Sequence, residues 1–246
     1  MNKIICINPG HGGSDSGTKI NEVMEKDLNL QISLYQAKRF TELGWQVILT
    51  RDKDEDSPLN EVARKVINSG APLCLSNHIN AAESPNASGF EAIHSIYSNG
   101  KLANLIFNNI VMTGLIKGRR VFNRESTTEP GKDYYFMHRQ TGKVETLIVE
   151  YGFLTNDQDR KILTDPVNHS ILSEAVIKAV CEYASQSYTP PTTAVVDPEA
   201  WKKADIDELA RASFINNPDY WKERVNDNMP VWAVMALINR LRKTIK

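Results

Sequence analysis

Two histidines and two glutamates stand where α/β proteins usually carry their chemistry. His11 follows an apolar run predicted as the first strand, His78 follows the third, and Glu150 ends a late strand. Glu25 comes just before the first long predicted helix. Because functional side chains of α/β folds gather at the carboxyl ends of strands, we expect these residues to lie close together. Two imidazoles and a carboxylate form a usual catalytic zinc set, and a further carboxylate can act as the base in metal-assisted hydrolysis.

Taken singly, each of these residues also has an ordinary interpretation. A histidine that follows a strand is more often an ordinary polar residue than a metal ligand. Glu25 is in a position where the helix dipole favours an acidic residue, the first turn of a predicted helix. Glu150 alone could be a salt-bridge partner. The Pro-Gly-His-Gly-Gly segment, residues 9–13, favours ligation, because its glycines let the backbone approach closely. It lacks the Lys-Ser/Thr pair of a phosphate-binding loop.

The elements that must position these residues alternate along most of the chain. Apolar runs predict strands, and helical spacing of apolar residues, with Gly44 ending the first helix, predicts helices between them. The predicted strands are Ile4–Asn8, Val47–Thr50, Pro72–Ser76, Phe90–Tyr97 and Thr146–Val149. The predicted helices are Lys26–Leu43, Leu59–Asn68, Lys101–Ile116 and Val167–Ser185. This order predicts an α/β fold, with a twisted and mostly parallel sheet flanked by helices on both faces.

Composition supports a globular protein and excludes several classes. The 246 residues are 41% hydrophobic and 24% charged, which is enough to build a sizeable core. The 29 basic and 30 acidic residues leave a formal net charge of -1, which gives no electrostatic reason to expect nucleic-acid binding. No apolar run reaches the length of a membrane span, and no secretory signal is evident. The three distant cysteines, Cys6, Cys74 and Cys181, predict buried free thiols rather than a disulfide framework.

The character of the chain changes near residue 186. We predict a catalytic domain over residues 1–185, a Pro- and Thr-containing linker over 186–197, and a small helical domain over 198–246. Helices are expected to start at Pro198, at Pro218 with Asn217 as N-cap, and at Pro230. Three of the four tryptophans, Trp201, Trp221 and Trp232, lie in this tail. They predict either a small aromatic core or a surface that binds the cell wall or a partner.

Six motifs, in order over about residues 3–185, resemble the zinc-dependent N-acetylmuramoyl-L-alanine amidases. They are Asn8–Gly13, Glu25–Leu30, Gly44–Arg51, Ser76–Asn80, Gly89–Glu91 and Val149–Asn156. The resemblance implies that His11, Glu25 and His78 hold Zn²⁺, that Glu150 is the catalytic glutamate, and that the fold is like that of zinc exopeptidases. Four positions depart from the family pattern: Asn8 replaces Asp, Asn77 and Ile79 replace Ile and Ala, and Glu145 replaces Pro.

The resemblance implies a peptidoglycan hydrolase that cuts the amide between N-acetylmuramic acid and L-alanine of the stem peptide. Two alternatives remain open, a zinc peptidase acting on stem or cross-link peptides and a non-catalytic wall-binding protein. Glu145 is the rival base, although it starts its strand and so belongs at the wrong end of the sheet.

We expect a phage or prophage endolysin, made in the host cytoplasm and released to the wall. A bacterial autolysin is the second possibility. The oligomeric state is not predicted.

Of the other histidines, His94 and His169 are expected to be structural or exposed, whereas His138 is a weaker candidate to line the groove.

Overall fold

The structure is a computed structural model, and it describes residues 2–191, 206, 209, 210 and 215–223. Two compact units divide the chain, Met1–Pro190 and Pro191–Lys246. The first unit contains a six-stranded sheet, a short hairpin and six helices. Among the described helices, none combines the length and apolar character that a membrane span needs.

The sheet strands are β1 (Ile4–Pro9), β4 (Gln46–Leu49), β5 (Leu73–Asn80), β6 (Phe90–Ile93), β7 (Gly118–Phe122) and β8 (Glu145–Phe153), and the hairpin is β2 (Lys19–Ile20) with β3 (Val23–Met24). The order of the strands in the sheet is β4-β1-β5-β8-β6-β7. Strands β4, β1, β5 and β8 are parallel, β6 runs antiparallel to β8, and the edge strand β7 is parallel to β6. This arrangement confirms the predicted mostly parallel sheet.

Helices cover both faces of the sheet, as predicted. Alternating residues of β1 divide between two apolar clusters, because successive side chains of a strand point to opposite faces. The helices of the first unit are α1 (Glu25–Glu42), α2 (Leu59–Asn68), α3 (Lys101–Met112), α4 (Phe136–Gln140), α5 (Asp157–Leu163) and α6 (Pro166–Tyr183). Ile5 and Ile7 join a large cluster with α1, α3 and α6, and Cys6 joins a smaller one with α2 and α4. The three cysteines are buried and free, as the sequence predicts.

Two strands extend further than predicted, and the extensions carry the site. β5 continues to Asn80 and β8 to Phe153. His78 therefore lies within a strand rather than after it, and Glu150 lies within a strand rather than at its end. The backbone pairs these two residues in parallel register. The strand predicted to run to Tyr97 ends at Ile93. The hairpin, β7, α4 and α5 were not predicted, because they are short or rich in polar residues.

The tail is described only in part. Helix α7 (Pro218–Lys222) begins as predicted: Pro218 occupies its first turn and the Asn217 side chain caps it by accepting from the Tyr220 backbone N–H. The helices predicted to start at Pro198 and Pro230, together with Trp201 and Trp232, lie outside the described residues.

Candidate active site

The structure brings His11, Glu25 and His78 together at the carboxyl end of the parallel strands. One ligand atom from each lies within 4.8 Å of the others. His11 Nε2 is 3.1 Å and His78 Nδ1 is 3.2 Å from the same atom, Glu25 Oε1. The imidazole rings of His11 and His78 meet edge to face, with their centroids 5.1 Å apart. The two rings and the carboxylate therefore converge on one point.

His11 is held by the loop after β1. Its φ of 62° is uncommon for a residue other than glycine, so its neighbours must stabilise this conformation. Buried Arg51 does so, because its guanidinium donates to the carbonyls of Gly10 and His11 at 3.1 and 2.7 Å. On the other side of the ring, Asp15 Oδ2 lies 2.8 Å from His11 Nδ1. A carboxylate on the second ring nitrogen fixes the orientation of a metal-binding histidine.

Glu25 is positioned by the start of α1 and by the hairpin before it. It is the first residue of the helix, and the Thr18 backbone N–H donates to its Oε2 at 3.0 Å. The Ile79 N–H and the Asn29 amide donate to Oε1 at 3.1 and 3.3 Å. A buried carboxylate with several donors is fixed in place and favours its charged form.

Gly10 lets the His11 loop pack against the ring of His78. A Cβ atom on Gly10 would lie 2.2 Å from His78 Cε1, which is a severe steric clash. The glycine-rich segment therefore lets the backbone approach closely, as the sequence predicts. What it packs against is a candidate ligand from another strand.

The charges within the cluster favour an ion pair between the histidines and Glu25. Burial alone lowers the pKa of His11, but hydrogen bonds and charge from Glu25 and Asp15 raise it to about 9. Burial raises the pKa of Glu25, but the hydrogen bonds from His11 and His78 outweigh this effect and hold it well below its usual range. The carboxylate is therefore ionised, as a metal ligand must be.

Glu150 lies beside this cluster and differs from Glu25 in its surroundings. It is the register partner of His78 on β5 and of Glu91 on β6, so all three side chains project from the same face. Its Oε2 is buried and finds no hydrogen-bond partner among the residues that the structure describes. Burial raises the pKa of Glu150 to about 7, and the nearby charge of His78 opposes that rise.

Glu145 lies at the opposite end of β8 and does not join the site. Its carboxylate oxygens accept from the hydroxyls of Ser98 and Tyr183 at 3.2 and 2.7 Å. His138 is buried in α4, with its Nδ1 4.0 Å from Asp133 Oδ1, and it is not part of the cluster of candidate ligands. His94 Nδ1 hydrogen-bonds to the Ser95 carbonyl, and His169 hydrogen-bonds to the Leu163 carbonyl. Both contacts join residues that are close in the sequence.

Two of the four departures from the family pattern, Asn8 and Asn77, form buried hydrogen bonds beside the site. Asn77 donates to Ser33 and Gln36, each at 2.8 Å, and accepts from the Tyr151 hydroxyl at 3.2 Å. This network ties the residue before His78 and the residue after Glu150 to α1. Asn8 donates to Ser76 and accepts from Thr50, at 2.9 and 2.7 Å. Neutral Asn8 thus uses both its amide nitrogen and its amide oxygen in buried hydrogen bonds.

Sequence reasoning missed Asp15, the contacts of Arg51 and the surroundings of Glu91. Asp15 lies four residues after His11. This spacing predicts a contact between side chains in a helix, but it predicts nothing in a glycine-rich loop. Arg51 closes one of the recognised motifs, but four of its five backbone acceptors come from distant parts of the chain. Only the folded loop shows which atoms these side chains contact.

Comparison with known proteins identifies a family over most of the first unit. A family model described as Amidase_3, N-acetylmuramoyl-L-alanine amidase, matches residues 5–182. A germination-specific N-acetylmuramoyl-L-alanine amidase of Bacillus subtilis (strain 168) is 27% identical over 206 residues, covering 77% of this chain and 83% of the relative. The probable cell wall amidase LytH of Staphylococcus aureus is 31% identical over 186 residues, covering 74% of this chain and 59% of the relative.

Solved structures agree with this assignment. The N-acetylmuramoyl-L-alanine amidase AmiC2 of Nostoc punctiforme superposes with a TM-score of 0.66 at 26% identity, covering 75% of this chain and 99% of that one. The catalytic domain of CwlV from Bacillus (Paenibacillus) polymyxa has a TM-score of 0.68 at 21% identity, covering 76% and 100%, and shows the shared fold. Since the family model spans well over half of the residues, this chain belongs to the Amidase_3 family of N-acetylmuramoyl-L-alanine amidases.

Proposed function

We propose that this protein is a zinc-dependent peptidoglycan amidase that hydrolyses the amide between the lactyl group of N-acetylmuramic acid and L-alanine. The observation that carries the proposal is the convergence of His11, Glu25 and His78 beside Glu150 in a chain of this family. All three predicted ligands and the predicted base are present, which argues against a wall-binding protein without activity. A zinc peptidase could use the same residues, but the family match favours an amidase.

The donor set fits zinc. Zinc bonds of about 2.0–2.1 Å in tetrahedral geometry separate neighbouring ligand atoms by roughly 3.3 Å. The contacts from Glu25 Oε1 to the two histidines, 3.1 and 3.2 Å, are close to that value. Two imidazoles with one carboxylate suit zinc better than calcium or magnesium, which prefer oxygen ligands. Zinc bound there would polarise the scissile carbonyl and lower the pKa of the attacking water.

Glu150 is proposed to move the proton. Its carboxylate takes a proton from the attacking water as the oxygen adds to the lactyl carbonyl carbon. It then gives that proton to the alanine nitrogen as the carbon–nitrogen bond breaks, leaving a carboxylate on the lactyl group and a free amine on the peptide. A pKa of about 7 suits both transfers near neutral pH. No described residue donates to its Oε2, so no hydrogen bond from the described residues occupies this oxygen.

Product analysis tests the assigned bond. Digestion of purified cell walls should release stem peptides that begin with a free L-alanine amine and should leave the glycan strands intact. New amino termini at other residues would instead assign a zinc peptidase, and the absence of any new terminus would assign a binding protein.

We propose that the protein acts on bacterial cell walls. The relatives named above are a germination-specific amidase and a probable cell wall amidase, and both are bacterial. These relatives favour a bacterial enzyme over the phage endolysin predicted from the sequence, which stays a prediction.

We propose that the tail is a separate wall-targeting unit. Tyr188 donates to Glu174 at 2.8 Å, and the Thr189 carbonyl accepts from Arg39 at 3.0 Å, so a truncation that spares the catalytic unit falls after Pro190 rather than after residue 185. The truncated enzyme is expected to cleave soluble muramyl peptides like the full chain but to bind and lyse intact walls less well, because a tethered binding unit raises the local substrate concentration.

Wall sedimentation and circular dichroism measure this outcome. Equal wall binding by the truncated and full chains would contradict a targeting role. Loss of the folded state on truncation would make the tail part of the catalytic core.

A further inference from the structure

Two consecutive arginines on the edge strand bind one buried carboxylate next to Glu150. Arg119 Nε and Arg120 Nε donate to Glu91 Oε1 at 2.8 and 2.7 Å. Glu91 is 1% exposed, and its other oxygen accepts from the Asn80 amide at 2.9 Å. This carboxylate therefore holds both guanidiniums in place through their inner nitrogens.

A β-bulge explains how neighbouring residues can face the same way. In a regular strand, consecutive side chains point to opposite faces. Phe90 pairs with Gly118 but Glu91 pairs with Arg120, so Arg119 is an extra residue in β7. Such a bulge redirects a side chain, and bulges are common beside active sites.

Aromatic rings fix the two guanidiniums further. The guanidinium of Arg119 lies 5.0 Å from the centroid of the Phe153 ring, and that of Arg120 lies 4.0 Å from the centroid of the Phe122 ring. Both distances are within the range of cation–π contact. The pair is thus ordered before any ligand arrives, which lowers the entropy lost on binding.

The pair lies on the same side of the sheet as the candidate catalytic residues. Glu91, Glu150 and His78 form one row across β6, β8 and β5, because they are register partners. Neighbouring strands are about 4.8 Å apart. The arginines therefore belong to a strand two positions from Glu150 and reach back towards it to contact Glu91.

The terminal nitrogens of both arginines are available to a ligand. Within the described part of the chain, their hydrogen bonds and ion pairs all run through Nε to Glu91. The side chains are 39% and 54% exposed. Two positive charges against the one negative charge of Glu91 leave an excess of +1. A guanidinium fork with free terminal nitrogens suits a carboxylate.

We propose that Arg119 and Arg120 bind a free carboxylate of the stem peptide, that of the residue following L-alanine. This inference rests on the proposed function. The second residue of the stem is D-glutamate joined through its γ-carboxyl, so its α-carboxylate is free unless it is amidated. That group lies five bonds from the scissile nitrogen, roughly 6 Å in an extended chain, a distance that the row from Glu150 to the arginines spans. The pair would make the enzyme prefer acidic over amidated stems.

Two soluble substrates differing in one group test this. N-acetylmuramoyl-L-alanyl-D-glutamic acid, with the α-carboxylate free, is compared with its α-amide, N-acetylmuramoyl-L-alanyl-D-isoglutamine. The wild-type enzyme is expected to prefer the acid in kcat/KM by about tenfold, the scale of a charge-assisted hydrogen bond at a partly exposed site. In the double variant Arg119→Gln/Arg120→Gln, this ratio should fall to about one. Arg64→Gln, an exposed arginine on α2, is the matched control and should keep the ratio.

The Gln variant leaves the buried Glu91 carboxylate without its cationic partners, which could destabilise the fold. A second variant that keeps the charge therefore serves as a control. Arg119→Lys/Arg120→Lys keeps the charge but loses the fork, and it should give a ratio between those of the wild type and the Gln variant. A wild-type ratio of one, or an unchanged ratio in a folded double variant, would overturn the proposal. An equal loss for both substrates would assign the arginines a structural role and overturn it as well. If the wild type cleaves neither substrate between N-acetylmuramic acid and L-alanine, the proposed function itself fails.

Discussion

Glu150→Gln is expected to lower kcat by at least ~10²-fold, the usual scale for loss of a general acid–base group. Glutamine keeps the shape of the side chain but cannot accept the proton of the attacking water. The bound zinc should stay near the wild-type amount, since the candidate ligands His11, Glu25 and His78 converge without Glu150. Steady-state kinetics with metal analysis of the same preparation measures both quantities.

Glu145→Gln is the matched control on the same strand. Glu145 is hydrogen-bonded to Ser98 and Tyr183 at the far end of β8, so this change should leave kcat and zinc content near wild type. Melting curves should show that Glu150→Gln remains folded, because a neutral amide replaces a half-buried carboxyl whose Oε2 has no partner in the described residues. Loss of zinc from Glu150→Gln would make Glu150 a ligand and contradict the role proposed for it.

Removal of zinc by a chelator should abolish hydrolysis, and added zinc should restore it. The metal-free protein should stay folded, because hydrogen bonds hold the candidate ligands without the ion: Asp15 accepts from His11, and the Thr18 and Ile79 N–H groups donate to Glu25. A histidine must lose its proton to bind a metal. Since the pKa of His11 is about 9 in the metal-free site, protons compete with zinc below that value, and the apparent zinc affinity should fall as pH decreases from 9 to 6.

His78→Ala provides the site-specific version of this test. It should lose both zinc and activity, whereas His94→Gln, which changes a histidine bonded to the Ser95 carbonyl, should keep both. Full activity in a demonstrably zinc-free preparation would disprove the metal assignment.

The sequence predicts the sheet, its flanking helices and the candidate ligands for a physical reason. Buried parallel strands leave continuous apolar runs, and side chains following such runs must meet at one edge of the sheet. His11, Glu25 and His78 meet there. The strand ends were predicted less well. His78 was placed after the third strand and Glu150 at the end of a late strand, yet both residues are paired within β5 and β8.

The surroundings of the site could not be predicted because they depend on contacts between distant segments. The arginines that contact Glu91 share one side only because of a bulge in β7, and a bulge has no marker in the sequence. Arg51 reaches the His11 loop from 40 residues away. Such contacts arise from tertiary packing, whereas periodicity reports only which face of an element is buried.

Hydrolysis of cell walls in water enriched in ¹⁸O tests the central claim most directly. In the proposed reaction, water oxygen adds to the lactyl carbonyl and the alanine nitrogen leaves. Mass spectrometry of the products from the zinc-loaded enzyme should therefore find ¹⁸O in the lactyl carboxylate of N-acetylmuramic acid and an unlabelled stem peptide beginning with a free L-alanine amine. Label in a peptide carboxylate, or in the sugar at a cleaved glycosidic bond, would contradict the account.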